Sequence, residues 1–192
     1  MLALPRGGVP VGFELARTLR LPLEMFIVRK LGVPGNKELA MGAIAPDGTR
    51  AINQDIIEAL HISPEQIDAV AEQERLEIQR RQQEYRNHRP QLEVRGRTVI
   101  LVDDGLATGS TMRAAIQSLR QQDPAYIVVA VPVAAPSICD ELAKEVDEIV
   151  CAFRLQEFVA VGQWYYKFKQ TSDEEVRRLL ALASKMRFPR AA

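Results

Sequence analysis

Apolar residues follow two different rhythms along this chain, and the change of rhythm divides it. From residue 98 onward, short runs of strand-forming residues at 98–102, 126–133 and 148–152 alternate with helical stretches at 110–121 and 137–145. Strict alternation of strand and helix predicts an α/β architecture on a parallel sheet. The beginning reads the same way. Residues 1–4 are apolar enough for a buried strand, Val9, Phe13, Ala16 and Leu19 share one face of a helix over 9–20, and residues 23–28 form another strand-like run.

The middle is built differently. Residues 29–39 concentrate Gly32, Pro34, Gly35 and Asn36, a density of turn formers that predicts a mobile loop. Residues 40–46 and 50–53 then flank Asp47-Gly48, a short-range hairpin signal, so 29–53 is expected as a flexible loop followed by a hairpin. Ser63-Pro64-Glu65-Gln66 combines an N-cap, a first-turn proline and a capping-box glutamine, opening a long helix over 63–89. Its apolar stripe of Ile67, Val70, Ala71, Ile78 and Tyr85 is sparse. The charged remainder reads as a solvated face or as the subunit contact of a homodimer. A second capping box, Ser172-Asp173-Glu174-Glu175, opens a final helix from 173 to about 185.

Length and charge narrow the function classes. The 192 residues suit one domain, 1–192, with a sizeable core. Because 25 basic residues balance 25 acidic ones, no global field favours nucleic acid or an anionic membrane. The longest apolar stretches, such as 128–135, fall well short of the roughly 20 residues of a membrane helix. No charged leader precedes a signal-like core, so a cytoplasmic protein is expected. Since residues 1–4 already read as buried strand, the start of the chain reads as truncated. Cys139 and Cys151 lack ligand-spaced partners and read as buried, reduced thiols, and His61 and His88 read as bystanders.

Chemistry concentrates at residues 99–111, an apolar strand ending in Asp103-Asp104 and followed by Gly105, Ala107, Thr108, Gly109, Ser110 and Thr111. Ligands of parallel sheets bind at such strand ends. Adjacent carboxylates repel and resist burial, so hydroxyl donors or a cation must stabilise them, and a ribose offers two neighbouring hydroxyls. The small residues, hydroxyls and free N–H groups of a helix start favour a phosphate monoester. Diol and phosphate together describe ribose 5-phosphate. The plainer reading is a strand end followed by an ordinary helix cap. Walker A needs a lysine where Ser110 stands, and no Gly-x-Gly-x-x-Gly follows a strand.

These residues resemble the 5-phosphoribosyl-1-pyrophosphate (PRPP) motif of the type I phosphoribosyltransferases, in which a hydrophobic strand and two acids lead into Thr-Gly-x-Thr. Asp103, Asp104, Thr108, Gly109 and Thr111 match it. Leu4-Pro5-Arg6-Gly7-Gly8 is placed like the family's pyrophosphate loop. Val28-Arg29-Lys30, entering a segment with Lys37, is similar to the basic pair of adenine and orotate phosphoribosyltransferases. The resemblance covers nearly the whole chain and is closest to bacterial phosphoribosyltransferases of unassigned substrate.

It implies the type I fold, with a mostly parallel sheet flanked by helices, a flexible loop or hairpin, and a small hood at 153–170. It implies transfer of the phosphoribosyl group of PRPP to a nitrogenous acceptor, a nucleobase by family habit, with pyrophosphate released. In that reading Asp103, Asp104, Arg6 and Lys30 carry catalysis, and the two aspartates also sense a substrate-bound Mg2+ through water. Residues Asp103 to Gly105 and Ala107 to Thr111 hold the ribose 5-phosphate, while Arg6, Gly7, Gly8, Arg29, Lys30 and Lys37 hold pyrophosphate. Phe158, Val161 and Trp164 meet the base. Six of the eleven aromatics crowd into 153–168, and the expected role for most of them, because large residues commonly serve it, is to seal the C-terminal segment onto the core. The rival function is a regulator that binds PRPP or a nucleotide without turnover. A PRPP-synthesising enzyme would need an ATP site that the chain does not display.

Overall fold

The computed structural model describes residues 1–86 and 93–186. In chain order the elements are β1 (Leu2–Ala3), α1 (Gly8–Leu19), β2 (Glu24–Met25), β3 (Arg29–Val33), β4 (Asn36–Ile44), β5 (Arg50–Ile52), α2 (Gln54–Ala59), α3 (Pro64–Arg86), β6 (Thr98–Val102), α4 (Ser110–Arg120), β7 (Tyr126–Ala134), α5 (Pro136–Leu142), β8 (Glu148–Arg154), a 3-10 turn (Val161–Trp164) and α6 (Asp173–Lys185). They fall into two compact units. One comprises Met1–Phe26, Leu92–Gly109 and Asp123–Ala192, and the other Ile27–Gln91 and Ser110–Gln122.

The first unit carries a five-stranded parallel sheet in the order β2-β1-β6-β7-β8, as the strand–helix alternation predicts. β1 and β6 are paired with Leu2 opposite Leu101 and Ala3 opposite Val102, and the Leu4 N–H extends the ladder to the Val102 carbonyl at 2.8 Å. β7 shows why this sequence makes a central strand: Ile127, Val129, Val131 and Val133 are all buried at the period of two that a pleated strand imposes. α6 buries Val176, Leu179, Leu180 and Ala183 at helical spacing and packs against α1. Its start is held by the Ser172 hydroxyl, which accepts from the Glu175 N–H at 3.1 Å.

The second unit holds the antiparallel sheet β3-β4-β5 with α2, α3 and α4. The capping box that opens α3 is formed in both directions. Gln66 N–H donates to Ser63 Oγ at 3.3 Å, and Ser63 N–H donates to Gln66 Oε1 at 2.9 Å. Ala71, Ile78 and Tyr85 are the buried members of its sparse stripe. Much of the charged remainder pairs within the helix, Glu72 with Arg75 at 2.7 Å and Arg80 with Glu77 and Glu84 at 2.8 Å each. The expected continuation to residue 89 and the bystander reading of His88 lie outside the described residues.

Several expectations change. Residues 29–39 are not a loop but the two strands of a hairpin, because Pro34-Gly35 forms the tight turn between them, with Gly35 at φ +82° and Val33 opposite Asn36. Residues 23–28 keep only two residues of strand, since β1 is itself two residues long before Pro5 ends it. α2 goes unseen in the apolar pattern. It is a six-residue helix with no fully buried member, held by Asn53, whose side chain accepts from the Ile56 N–H. Leu19 is 53% exposed, because α1 ends there and Arg20 turns left-handed at φ 56°. None of the described helices is long and apolar enough to cross a membrane.

Candidate functional site

Since β1 and β6 are adjacent and parallel, the loops leaving their C-terminal ends emerge side by side. The first is Pro5-Arg6-Gly7, whose Pro5–Arg6 peptide is cis. The second begins at Asp103. Their contact is close enough to demand glycine. A Cβ on Gly7 would stand 1.9 Å from Asp104 Oδ2, and one on Gly8 would stand 2.6 Å from the Val102 carbonyl oxygen and 2.9 Å from Asp103 Cα. Two of the three segments singled out in the sequence therefore lie backbone against carboxylate, within one unit.

The acids are held tightly. Asp104 N–H donates to Asp103 Oδ1 at 2.9 Å. Burial pushes the Asp104 carboxyl above its usual range, offset only in part by hydrogen bonds from Asp103 and from the N–H groups of residues 104 and 105. A carboxyl whose folded pKa lies above its unfolded value contributes stability below the unfolded pKa, and loses that contribution as pH rises through the folded one. In ligand-free protein at about pH 7, Asp104→Asn is therefore expected to raise the melting temperature by about 2–4 °C for each kcal/mol of relieved burial cost. The gain should vanish towards about pH 4, where carboxyls protonate. Paired melts of the two proteins across pH check this.

Arg6 is half-buried and meets Asp173, at the start of α6, at 3.4 Å. Ala107 and Thr108 are exposed, and Gly109 is buried against Ile138 and Leu142 of α5. Ser110 and Thr111 follow directly in the chain and open α4 in the second unit. In that unit, strand alternation separates the expected basic pair. Arg29 turns to α3, donating to Glu74 at 2.6 Å, whereas Lys30 is exposed, and so is Lys37.

The hood-like segment also departs from expectation. Phe158 and Val161 are half-buried and Trp164 is exposed, as are Phe153, Tyr166 and Phe168, so these four exposed aromatics do not seal the segment onto the core. Val161 instead packs on Gly105, where a Cβ would lie 2.9 Å from its Cγ1. The residue that reaches the carboxylate loop was not singled out in the sequence. The Tyr165 hydroxyl donates to the Asp104 carbonyl at 2.6 Å. Burial first, then the charges of Asp104 and Asp103, push its phenol up to about 12. Nothing in the run Trp164-Tyr165-Tyr166 marks the middle ring as the one with a partner.

Among the described residues no group of three or more His, Cys, Asp or Glu could hold a metal ion. Two adjacent carboxylates, with no protein cage around them, fit an ion held chiefly by substrate oxygens and reached by the acids through water, as magnesium allows. The cysteines are both free. Only Cys139 is buried; Cys151 is half-buried, because it lies on the edge strand β8. Burial, then the neighbouring Cys151 thiol, push Cys139 up to about 11, which leaves it inert as a nucleophile.

Comparison with known proteins gives a consistent picture. The profile of the phosphoribosyl transferase domain family matches residues 1–175. Two relatives, from Mycobacterium tuberculosis strains CDC 1551 and H37Rv, carry the provisional name phosphoribosyl transferase, and each is 46% identical over 176 residues, 92% of this chain. The chain spans 40% of the length of these curated relatives. Among solved structures, that of TT1426 from Thermus thermophilus superimposes with a TM-score of 0.77 at 39% identity, covering 93% of this chain and 85% of that one.

Proposed function

The chain belongs to the phosphoribosyl transferase domain family, and from that premise we propose that it transfers the 5-phosphoribosyl group of PRPP to a nitrogenous acceptor, a nucleobase in the first instance, releasing pyrophosphate. One observation carries this reading above the others: the glycine loop after β1 touches both acids after β6. In PRPP the pyrophosphate sits on C1, beside the C2 and C3 hydroxyls. A loop for the one and a carboxylate pair for the other must therefore be neighbours.

In the proposed reaction the acceptor nitrogen attacks C1 as the C1–pyrophosphate bond breaks, through a cation-like sugar comparable to that of glycoside transfer. Asp103 and Asp104 accept hydrogen bonds from the ribose hydroxyls and orient the ring. Arg6 and the N–H group at Gly7 meet the charge that develops on the departing pyrophosphate, a preorganised arrangement that needs no reorganisation as the bond breaks. Gly8, whose own N–H is donated to the Leu4 carbonyl at 3.1 Å, contributes the close approach its missing side chain allows. Gly105, Ala107, Thr108 and Gly109, continued in the chain by Ser110 and Thr111, supply the hydroxyls and amides for the 5-phosphate. Lys30 and Lys37 are assigned to pyrophosphate by the family resemblance, while Arg29, engaged by Glu74, is better suited to hold β3 on α3. Phe158, Val161 and Trp164 are assigned to the acceptor ring, for which the exposed face of Trp164 is suited. Magnesium, held by substrate oxygens and through water by Asp103 and Asp104, would supply charge neutralisation for the pyrophosphate. The proposal places the protein in the cytoplasm with small-molecule partners, and the outer face of α3 is the surface available for a homodimer.

Pyrophosphate release tests the reading directly. Incubated with PRPP and magnesium, the protein is expected to release pyrophosphate only when a suitable member of a panel of purines, pyrimidines and other nitrogenous acceptors is added. Saturable PRPP binding with no release across the panel would favour the regulatory alternative, and no PRPP binding would reject both.

A further inference from the structure

We infer that Tyr165 is a positioning residue, whose hydroxyl ties the hood segment to the backbone of the carboxylate loop and so holds Asp104 in place for the sugar diol. The inference deepens the proposed function and rests on it.

The loop at residues 104–106 is anchored at three successive points. Leu106 N–H donates to the Val133 carbonyl at 3.0 Å, and Leu106 bridges to Ala134, which fastens the far end to β7. Gly105 lies between Val133 and Val161. The Asp104 carbonyl accepts from Tyr165, 61 residues further along the chain. The anchor on Leu106 is backbone to backbone, and that on Gly105 is apolar contact. Tyr165 holds the Asp104 peptide by a side-chain hydrogen bond from the hood, so this anchor can be removed without disturbing the sheet.

The direction of this bond is fixed by chemistry. A carbonyl only accepts, so the phenol must donate. Packing alone does not account for a hydroxyl at this position. The ring already has Phe168 as a neighbour, with centroids 5.4 Å apart, and that contact would be the same for a phenylalanine. The hydroxyl instead meets the one carbonyl next to the carboxylate that Gly7 has made room for. The 104–105 peptide that this bond holds also carries the Gly105 N–H, which donates to the Asp104 carboxyl, so rotation of that peptide would withdraw a hydrogen bond that orients the carboxyl.

Tyr165→Phe deletes the hydroxyl and keeps the ring, and Phe168→Leu reduces the ring packing and keeps the hydroxyl. PRPP affinity in the presence of magnesium is measured by calorimetry for both variants and the wild type, with the Michaelis constant for the acceptor and the melting temperature alongside. Tyr165→Phe is expected to bind PRPP about 5–10-fold more weakly, the equivalent of one lost hydrogen bond, while the Michaelis constant for the acceptor stays near that of the wild type. Phe168→Leu is expected to melt earlier and to bind PRPP normally. Wild-type affinity in Tyr165→Phe, or a loss no larger than that of Phe168→Leu, overturns the inference. A wild-type protein that binds no PRPP overturns the proposed function and this inference together, an outcome plainly distinct from binding that the substitution leaves unchanged.

Discussion

Replacing Asp103 and Asp104 together with asparagine should weaken PRPP binding by at least about a hundred-fold while the protein stays folded. In the proposed complex each carboxylate accepts a charge-assisted hydrogen bond from the diol, worth about 1.5–3 kcal/mol. Two of them, at about 1.4 kcal/mol per tenfold, give the stated loss. The fold has no comparable dependence on their charge. Asparagine at 103 retains an oxygen to accept from the residue 104 N–H, the contact now made at 2.9 Å. At 104 the change removes a carboxyl that burial already disfavours. Calorimetric titration with PRPP and magnesium, paired with thermal melts, reads both halves. Unchanged affinity would show that the pair does not bind the sugar, and the proposed function would go with it.

The two glycines of the first loop should separate binding from stability. At Gly8 the atoms in the way of a methyl group are backbone, the Val102 oxygen at 2.6 Å and Asp103 Cα at 2.9 Å, and neither can move without parting α1 from β6. Gly→Ala in a helix is ordinarily favourable by up to about 1 kcal/mol. Overpacking of this kind costs about 1–3 kcal/mol and occasionally more, so the clash decides the sign. Gly8→Ala is expected to lower the melting temperature by several degrees, at about 2–4 °C per kcal/mol, and to abolish PRPP binding by displacing Asp103. At Gly7 the obstacle is the tip of a side chain, Asp104 Oδ2 at 1.9 Å, which can swing aside. Gly7→Ala should therefore melt near the wild-type temperature and still lose PRPP affinity. A Gly8→Ala protein as stable as the wild type would mean that β1 and β6 do not hold these loops as closely as described.

Local signals in the chain are legible, and they share one property: each acts across three or four residues. Ser63 with Gln66, Ser172 with Glu175, and the Asp47-Gly48 turn all form as their spacing requires. The same reasoning fails at residues 29–39. There Gly32, Pro34 and Gly35 read as a loop, although one Pro-Gly turn is enough to close a hairpin whose strands pair along β3 and β4. It fails again at Arg29 and Lys30, adjacent in sequence but turned to opposite faces once they lie on a strand.

By itself, then, the amino-acid order determined which residues could do chemistry: two acids at a strand end, a glycine pair after an arginine, and hydroxyls at a helix start. Their types and short spacings are covalent facts that need no partner to be read. Tertiary structure alone decided that Gly7 would touch Asp104, that Arg29 would be engaged by Glu74, and that Tyr165 would hold the carbonyl of Asp104. Those contacts join residues 45 to about a hundred positions apart, and they exist because parallel pairing of β1 with β6, packing of the hood on Gly105, and packing of α3 on β3 each bring distant segments of chain together.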